Sequence, residues 1–547
     1  NASGATALLA AGSNGTVLTS DGTDISWGAA SGGVTFKEGG TNFTNSLLVG
    51  TSSTGTLSSA EGNTGVGLGV FAALTSGDNN VAIGCGSMAA NTTGCLNVAV
   101  GKGSLCTNTT GIKNTALGRD SMLANTSGDC NVALGHEALD TNTTADNNTA
   151  IGSSSLQANT TGSPNTAVGR NSLSANTTGA CNTGVGYNVM SNNSTGERNT
   201  AVGHQAGDAI TTGANNTVMG SQALFSNTTG ADNVAIGRSA LNANTTAAQN
   251  TAVGTEAVLK TTTGADNTGI GFIALCDNTT GTENTAVGAF ALRKNTTGNV
   301  NVAIGRCTLS TATTASNNVA VGQEALQKTT TGANNTAVGT TAMKENLTGA
   351  NNVAIGHAAL FENTNAGDNV GVGSYSLEKT TTGSLLTAVG QSSLQKNTTG
   401  SYNVAIGRRA GCGTTTGGLN TFVGYSTGVE ITTGCRNIFI GNQNSAAAAD
   451  DNDSITIGAS KTSKGDNTAF ISANGGNTFN GANSTTWNQT SDKRIKKNIV
   501  DNTTGLDKIN QIQVRNFEYR TLDEITDFGE HKKSAVVEKN WSYCTRA

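Results

Sequence analysis

Asn165-Thr166-Ala167-Val168-Gly169-Arg170-Asn171-Ser172-Leu173-Ser174-Ala175-Asn176-Thr177-Thr178-Gly179-Ala180-Cys181 is one unit of a pattern that Asn182 begins again. β-Branched residues, Asn and paired glycines fill the unit, and no long stretch of helix formers occurs in it, so a helix is disfavoured. Thr166-Ala167-Val168 suits a short strand in which Thr166 and Val168 share one face and Ala167 takes the other. Gly169 then permits a sharp bend or a positive φ. Leu173 supplies an inward anchor, and Asn176-Thr177-Thr178-Gly179 closes the unit as a turn. Leu224, Leu241, Leu275, Leu292, Leu326 and Leu360 stand at the Leu173 phase in other units.

The glycine of this unit recurs at Gly50, Gly67, Gly84, Gly101 and Gly118, and onward in the same step to Gly441 and Gly458. The spacing is always 17, and (458 − 50)/17 = 24, which makes 25 positions in register without one insertion or deletion. Only an architecture in which each repeat stacks on the last penalises every change of length so uniformly. The reading is therefore an all-β chain, a parallel β-solenoid or β-roll of 17-residue coils, over residues 46–460. Residues 1–45 lack the step and read as an N-terminal segment of short strands, 461–490 as a connector, and 491–547 as a small α+β segment. At about 4.8 Å per coil, 24 steps span roughly 115 Å, a spacer's dimension.

Composition points the same way. With 73 Gly, a single Pro, 4% aromatic and 12% charged residues, the chain has too few large apolar groups for one thick core. Its 35% hydrophobic content is nonetheless too high and too regular for disorder. Thin, repeated cores follow, in which Val and Ile are expected to form an internal column while Asn side chains ladder along the turns. The position opposite that column is Ala or Gly in nearly every unit, as at Ala82, Ala99, Ala116, Ala167 and Gly184. Small residues there point to close packing against partner chains around a three-fold axis, hence a homotrimer; a tightly wound single chain with a flat Ala face is the alternative. Phe422, Phe439 and Thr456 break the rule together and predict a wider or plugged end.

Units such as Asn301-Val302-Ala303-Ile304-Gly305 resemble the coils of trimeric autotransporter adhesin heads, which are left-handed parallel β-rolls, and similar repeats in tail fibres. The unit here is longer by Asn-Thr-Thr-Gly. The segment from Val17 to Trp27 is similar to sequences that precede the shafts of phage fibre proteins. Ser491-Asp492-Lys493-Arg494-Ile495-Lys496, continuing through Phe517-Glu518-Tyr519, resembles the start of the endosialidase-type intramolecular chaperone domain, whose family trimerises fibres and then cuts itself off.

That last resemblance implies Ser491 as a nucleophile assisted by Lys496, with single-turnover autoproteolysis between Thr490 and Ser491 in place of metabolic catalysis. An uncharged lysine amine could take the hydroxyl proton if burial lowered its pKa. Read from the residues alone, Ser491 equally suits a helix cap and the basic residues a solvated face. Leu506, Ile509 and Ile512 suit a helical face and Val514 to Tyr519 a strand. The family's Gly-x-Ile-Ala-Gln-Glu continuation is missing, but a one-base shift in an allowed back-translation from Asn540 restores it, which predicts a frameshift that truncated the domain.

Other chemistry is sparse. A net charge of −5 without a basic block argues against nucleic acid as a partner. The absence of an apolar run of about 18 residues argues against membrane insertion. The ten cysteines show neither Cys-x-x-Cys nor a fixed phase and read as isolated small hydrophobes. His136, His204 and His357 each follow a repeat glycine and stand 4 and 9 coils apart, (204 − 136)/17 and (357 − 204)/17, too far to share a metal within one chain. No metal and no cofactor are expected. The function these readings favour is a homotrimeric tail-fibre shaft of a virus particle. Its partners would be copies of itself, other tail proteins, and a host-surface receptor, a glycan or an outer-membrane component. A bacterial trimeric surface adhesin is the alternative, and an ice-binding solenoid stands behind both, because adjacent Thr177 and Thr178 would face opposite ways. Outward positions vary from coil to coil without clustering in sequence, and no receptor-contact residue is singled out.

Overall fold

A computed structural model describes residues 16–20, 25–29, 36–38, 42–50, 54–473, 476–481 and 488–490. Every regular element among them is a strand. Each 17-residue unit contributes one three-residue strand; Thr166–Val168 pairs in parallel with Thr149–Ile151 before it and Thr183–Val185 after it. The register is residue to residue seventeen on, from Leu47–Val49 to Ile455–Ile457, (455 − 47)/17 = 24 steps. The chain is thus the parallel β-solenoid that the glycine period predicts.

The ends depart from the step. Thr16–Ser20 and Ile25–Ala29 pair as an antiparallel hairpin, and Phe36–Glu38 lies antiparallel on Leu47–Val49, opening the ladder. At the far end Ile455 faces Ala469, so the last step is 469 − 455 = 14 residues and the period has ended before Gly475. Ala469–Ala473 then folds back on Gly476–Asn480.

The rest of each coil turns through left-handed backbone. Gly169 has φ +126°, and a Cβ there would fall 2.2 Å from the Gly186 carbonyl oxygen of the next coil, so no larger residue fits. Asn171, Leu173 and Cys181 also have positive φ, at 55°, 53° and 58°. An L-residue in that conformation costs roughly 1–2 kcal/mol. Hydrogen bonds between coils offset this: Leu173 N–H donates to the Val189 carbonyl at 2.9 Å and Asn171 N–H to that of Ser153 at 3.0 Å.

The expectation that Val and Ile fill the interior is overturned. Ala167 at the strand centre is fully buried, whereas Thr166 and Val168 are only half-buried on the outer face. The same holds from Ala82 to Ala405. The reason is thickness. The interior also holds the Leu173 column, and where the central residue is Gly269 an added Cβ would already meet Cγ2 of Val258, which stands in that column, at 2.5 Å. One methyl group fills the space, so the β-branched residues point outward.

At the far end, expected to be wider or plugged, the larger residues of the Ala phase are taken up inside the core. Phe422 and Phe439 stand at the Ala phase because the Leu phase beside them has become Gly411 and Gly428. A Cβ on Gly411 would lie 2.4 Å, and one on Gly428 2.3 Å, from the Phe422 ring. Large and small residues have exchanged places across the core, and both rings are fully buried.

Two buried Asn columns complete the interior. Asn165 donates its side-chain amide to the Gly179 carbonyl at 2.9 Å, and its backbone N–H to Asn148 Oδ1 at 2.8 Å. Asn176 donates to Asn159 Oδ1 at 2.8 Å and to Gly179 O at 3.0 Å. Each amide therefore closes its own turn and ties it to the neighbouring coil, as the expected ladder requires. Outside this column, the Thr177 hydroxyl donates to the Ser194 carbonyl of the next coil at 3.0 Å.

Candidate interaction surfaces

Because the Ala column points inward, the strand's outer face carries the aliphatic residues. The residue before each repeat glycine is Val, Ile, Leu or Met in every coil from Val66 to Ile457. Ile83, Leu134, Met219, Ile304, Ile355 and Ile406 each leave 40–47% of their surface exposed. Their alignment makes one apolar stripe along the ladder, where scattered exposed aliphatics would need no explanation. The face that is apolar and uncovered is thus the one opposite to the face assigned to chain packing from sequence.

The corner after the repeat glycine has the contrary chemistry. This phase holds Lys102, Arg119, Arg170, Arg238, Arg306, Arg408 and three histidines, and from Leu68 to Ala459 it holds no Asp or Glu. His136, His204 and His357 are exposed there, as expected from sequence. Residues one coil apart stack. The Tyr187 and His204 rings lie 5.5 Å apart at 12°, with the Arg170 guanidinium 5.8 Å over Tyr187. Phe272 meets Phe290 edge-on at 5.3 Å, and Arg408 sits 5.7 Å over Tyr425. Some cations are neutralised locally, Arg119 by Asp120 at 2.9 Å and Arg238 by Glu256 at 2.6 Å.

Farther round the coil, ion pairs join successive coils: Lys260 to Asp277 at 2.7 Å and Lys328 to Glu345 at 2.5 Å. Exposed pairs of this kind contribute little stability each. The Thr178 phase forms an exposed column one residue wide, threonine in most coils and interrupted at Ser127 and Asn365. Among the described residues no three His, Cys, Asp or Glu gather as a metal-binding set. Cys276 is buried, and burial with Asp277 alongside pushes its thiol up to about 11, while Cys85, Cys130 and Cys181 are exposed.

Ser491 and Lys496 lie outside the described residues, as do the expected helix and strand after them and the tail that carries the frameshift reading. The described strand Asn488–Thr490 ends at the residue expected to precede cleavage. That this phase gathers Lys102, Arg119, Arg170, Arg238 and Tyr187 beside the histidines is legible in the sequence, where it reads as solvent exposure. The ring and guanidinium stacking between its members is not, because they come from different coils.

Residues 491–535 match the family model of the chaperone of endosialidase, Peptidase_S74. No curated protein and no solved structure matches the chain.

Proposed function

We propose, with the chaperone-of-endosialidase match at 491–535 as premise, that this chain is the shaft of a homotrimeric phage-type tail fibre that carries a virus particle to its host surface. The observation that carries the reading is the order of parts: a long invariant solenoid followed by a segment of that chaperone family. A rod of stacked coils holds two points apart, and the constant 17-residue step from Gly50 to Gly458 leaves no insertion in it.

In this reading three copies pack with the aliphatic stripe toward a common axis, which removes the apolar face from water. The segment from Ser491 assembles the three chains, after which Ser491, assisted by Lys496, severs the bond after Thr490. Serine acts there only if a neutral amine receives its proton, so the lysine has to be desolvated in the assembled state.

The test is made on the purified full chain by light scattering and intact mass. Three chains per particle and a new terminus at Ser491, absent in Ser491→Ala, support the proposal. An uncleaved trimer removes the protease role alone. A monomer, with Ile304→Asp and Ile355→Asp leaving its mass and solubility unchanged, overturns the trimer. Immunogold labelling of tail appendages on virus particles supports the virion assignment, and labelling of bacterial outer surfaces in uninfected cells replaces it with the surface adhesin.

A further inference from the structure

We infer that Leu385, Tyr402 and Leu419 dock against a second copy of this chain and fix the copies in register, coil against coil. The inference rests on the trimeric reading above, and names what sets the axial alignment of that assembly. The three residues stand five before Gly390, Gly407 and Gly424, in consecutive coils. They leave 46%, 58% and 55% of their surfaces exposed. Their column is polar on either side, with Asn334, Asn351 and Asp368 joined by amide hydrogen bonds at 3.2 Å before them and Arg436 held by Asp453 after. The other Leu or Val at this phase, Leu96 and Val300, stand alone.

The backbone at this position disfavours them. Their φ values are 60°, 61° and 61°, and Asn317, Asn334, Asn351 and Asp368 fill the same position at 59–60°. Asn and Asp tolerate that left-handed conformation, whereas a bulky residue in it is an outlier. Packing within the chain compensates little, since each of the three is about half exposed. Such an outlier, repeated in three coils, points to a use for the exposed side chains.

The aliphatic stripe cannot align copies by itself. It repeats with every coil, so sliding one rod along another by about 4.8 Å restores the same contacts. The three residues break that repeat and adjoin the stripe, for Tyr402, Val404 and Ile406 make the outward positions of one coil apolar together. On the other flank of the strand the same coils carry Gln391, Arg408 and Tyr425 as a linked row, with Arg408 Nε donating to Gln391 Oε1 at 3.1 Å and the guanidinium 5.7 Å over the Tyr425 ring. Rotation about a common axis without translation brings one flank of each copy to the opposite flank of the next at the same level. It sets Tyr402 against the neighbouring copy's Arg408 and Leu419 against its Tyr425, a cation with a ring and an apolar pair. Three coils span only about 14 Å, too little for the roughly 800 Å² per partner of a stable interface with a separate protein. A copy already held along the stripe is the occupant that fits.

The test places cysteine pairs on opposite flanks of the full chain, away from the lock: Asn334→Cys/Thr340→Cys in one coil, and Asn334→Cys/Gln323→Cys one coil apart. Cys130 and Cys181 already occupy the Asn334 phase, and Cys85 the Thr340 phase, in other coils. Disulfides formed between copies under mild oxidation are identified by peptide mass. The same-level pair should link about tenfold more than the offset pair. In Leu385→Asn/Tyr402→Asn/Leu419→Asn, which gives each coil a residue suited to its backbone, the two pairs should link about equally, and Tyr402→Asn alone should lower the preference in part. Equal linking in the parent, no linking in a particle of three chains, or full preference in the triple variant with unchanged circular dichroism overturns the inference. A monomeric parent ends the trimeric reading and the lock together, whereas a trimer without the preference ends the lock alone.

Discussion

The second Asn column has gaps, and filling one is a stringent test of the stacked-coil account. At Thr380 the column is broken: Asn363 precedes it, Asn397 follows, Asn363 Oδ1 and Thr380 Oγ1 are buried without a hydrogen bond, and Thr380 is fully buried. The same orphaned oxygen occurs at Asn193, Asn244, Asn295 and Asn397, each followed one coil on by a residue other than Asn: Ile210, Thr261, Ala312 and Thr414. Thr380→Asn places an amide where the flanking coils already accommodate one. By the geometry of Asn176, its Nδ2 would reach Asn363 Oδ1 at about 2.8 Å and the Gly383 carbonyl, while its Oδ1 would accept from Asn397. A net hydrogen bond is worth roughly 1 kcal/mol, and satisfying a buried orphan is worth at least that. After the entropy cost of fixing the longer side chain, about 1–2 kcal/mol of local stabilisation remains. Native-state hydrogen exchange across residues 363–400 should slow by roughly 5- to 30-fold in amides that exchange by local opening. Asn125→Thr, which breaks a continuous stretch, should speed exchange around it by a similar factor. Unchanged or faster exchange in Thr380→Asn, with the coil fold intact, would refute the claim that these amides act as a ladder.

Three further outcomes follow from the packing and the titrating groups. Phe422→Ala and Gly411→Leu should each lower the thermal midpoint, the first by a cavity of about 3–5 kcal/mol and the second by a clash, while the double variant recovers part of the loss; strictly additive losses would show that the two positions do not share one space. Asp140 has its carboxyl raised above the ordinary 3.8, first by burial and then by Glu137 and Asp120, and its Oδ1 is buried without a hydrogen bond. A raised folded value means that its favourable contribution is complete below pH 3.8 and is lost as pH rises through the folded value. Asp140→Asn should therefore melt higher than the parent at pH 7 and equal to it below pH 3.8; an advantage that persists in acid would point to packing as its source. A maleimide at neutral pH should label the exposed Cys85, Cys130 and Cys181 well before the buried Cys276, whose thiol stands at about 11, and equal rates would contradict its burial.

The 17-residue step, the parallel register, the place of each strand and the turn at Asn-Thr-Thr-Gly were all legible in the sequence, because stacked coils tolerate no change of length and each strand and turn has a local signature. The orientation of the strand was not. Alternation with a period of two separates Ala167 from Thr166 and Val168 but does not say which side is inside, and size alone suggested the wrong one. That choice belongs to the width of the closed coil, which is set by left-handed corners at Asn171, Leu173 and Cys181 that no residue type there announces. The exchange of Gly411 and Gly428 against Phe422 and Phe439 became visible only when the coils were stacked. So did the stacking of the Arg408 guanidinium on the Tyr425 ring. A repeat encodes its own period in every copy, whereas the space between copies is shared and is filled by residues from several of them at once.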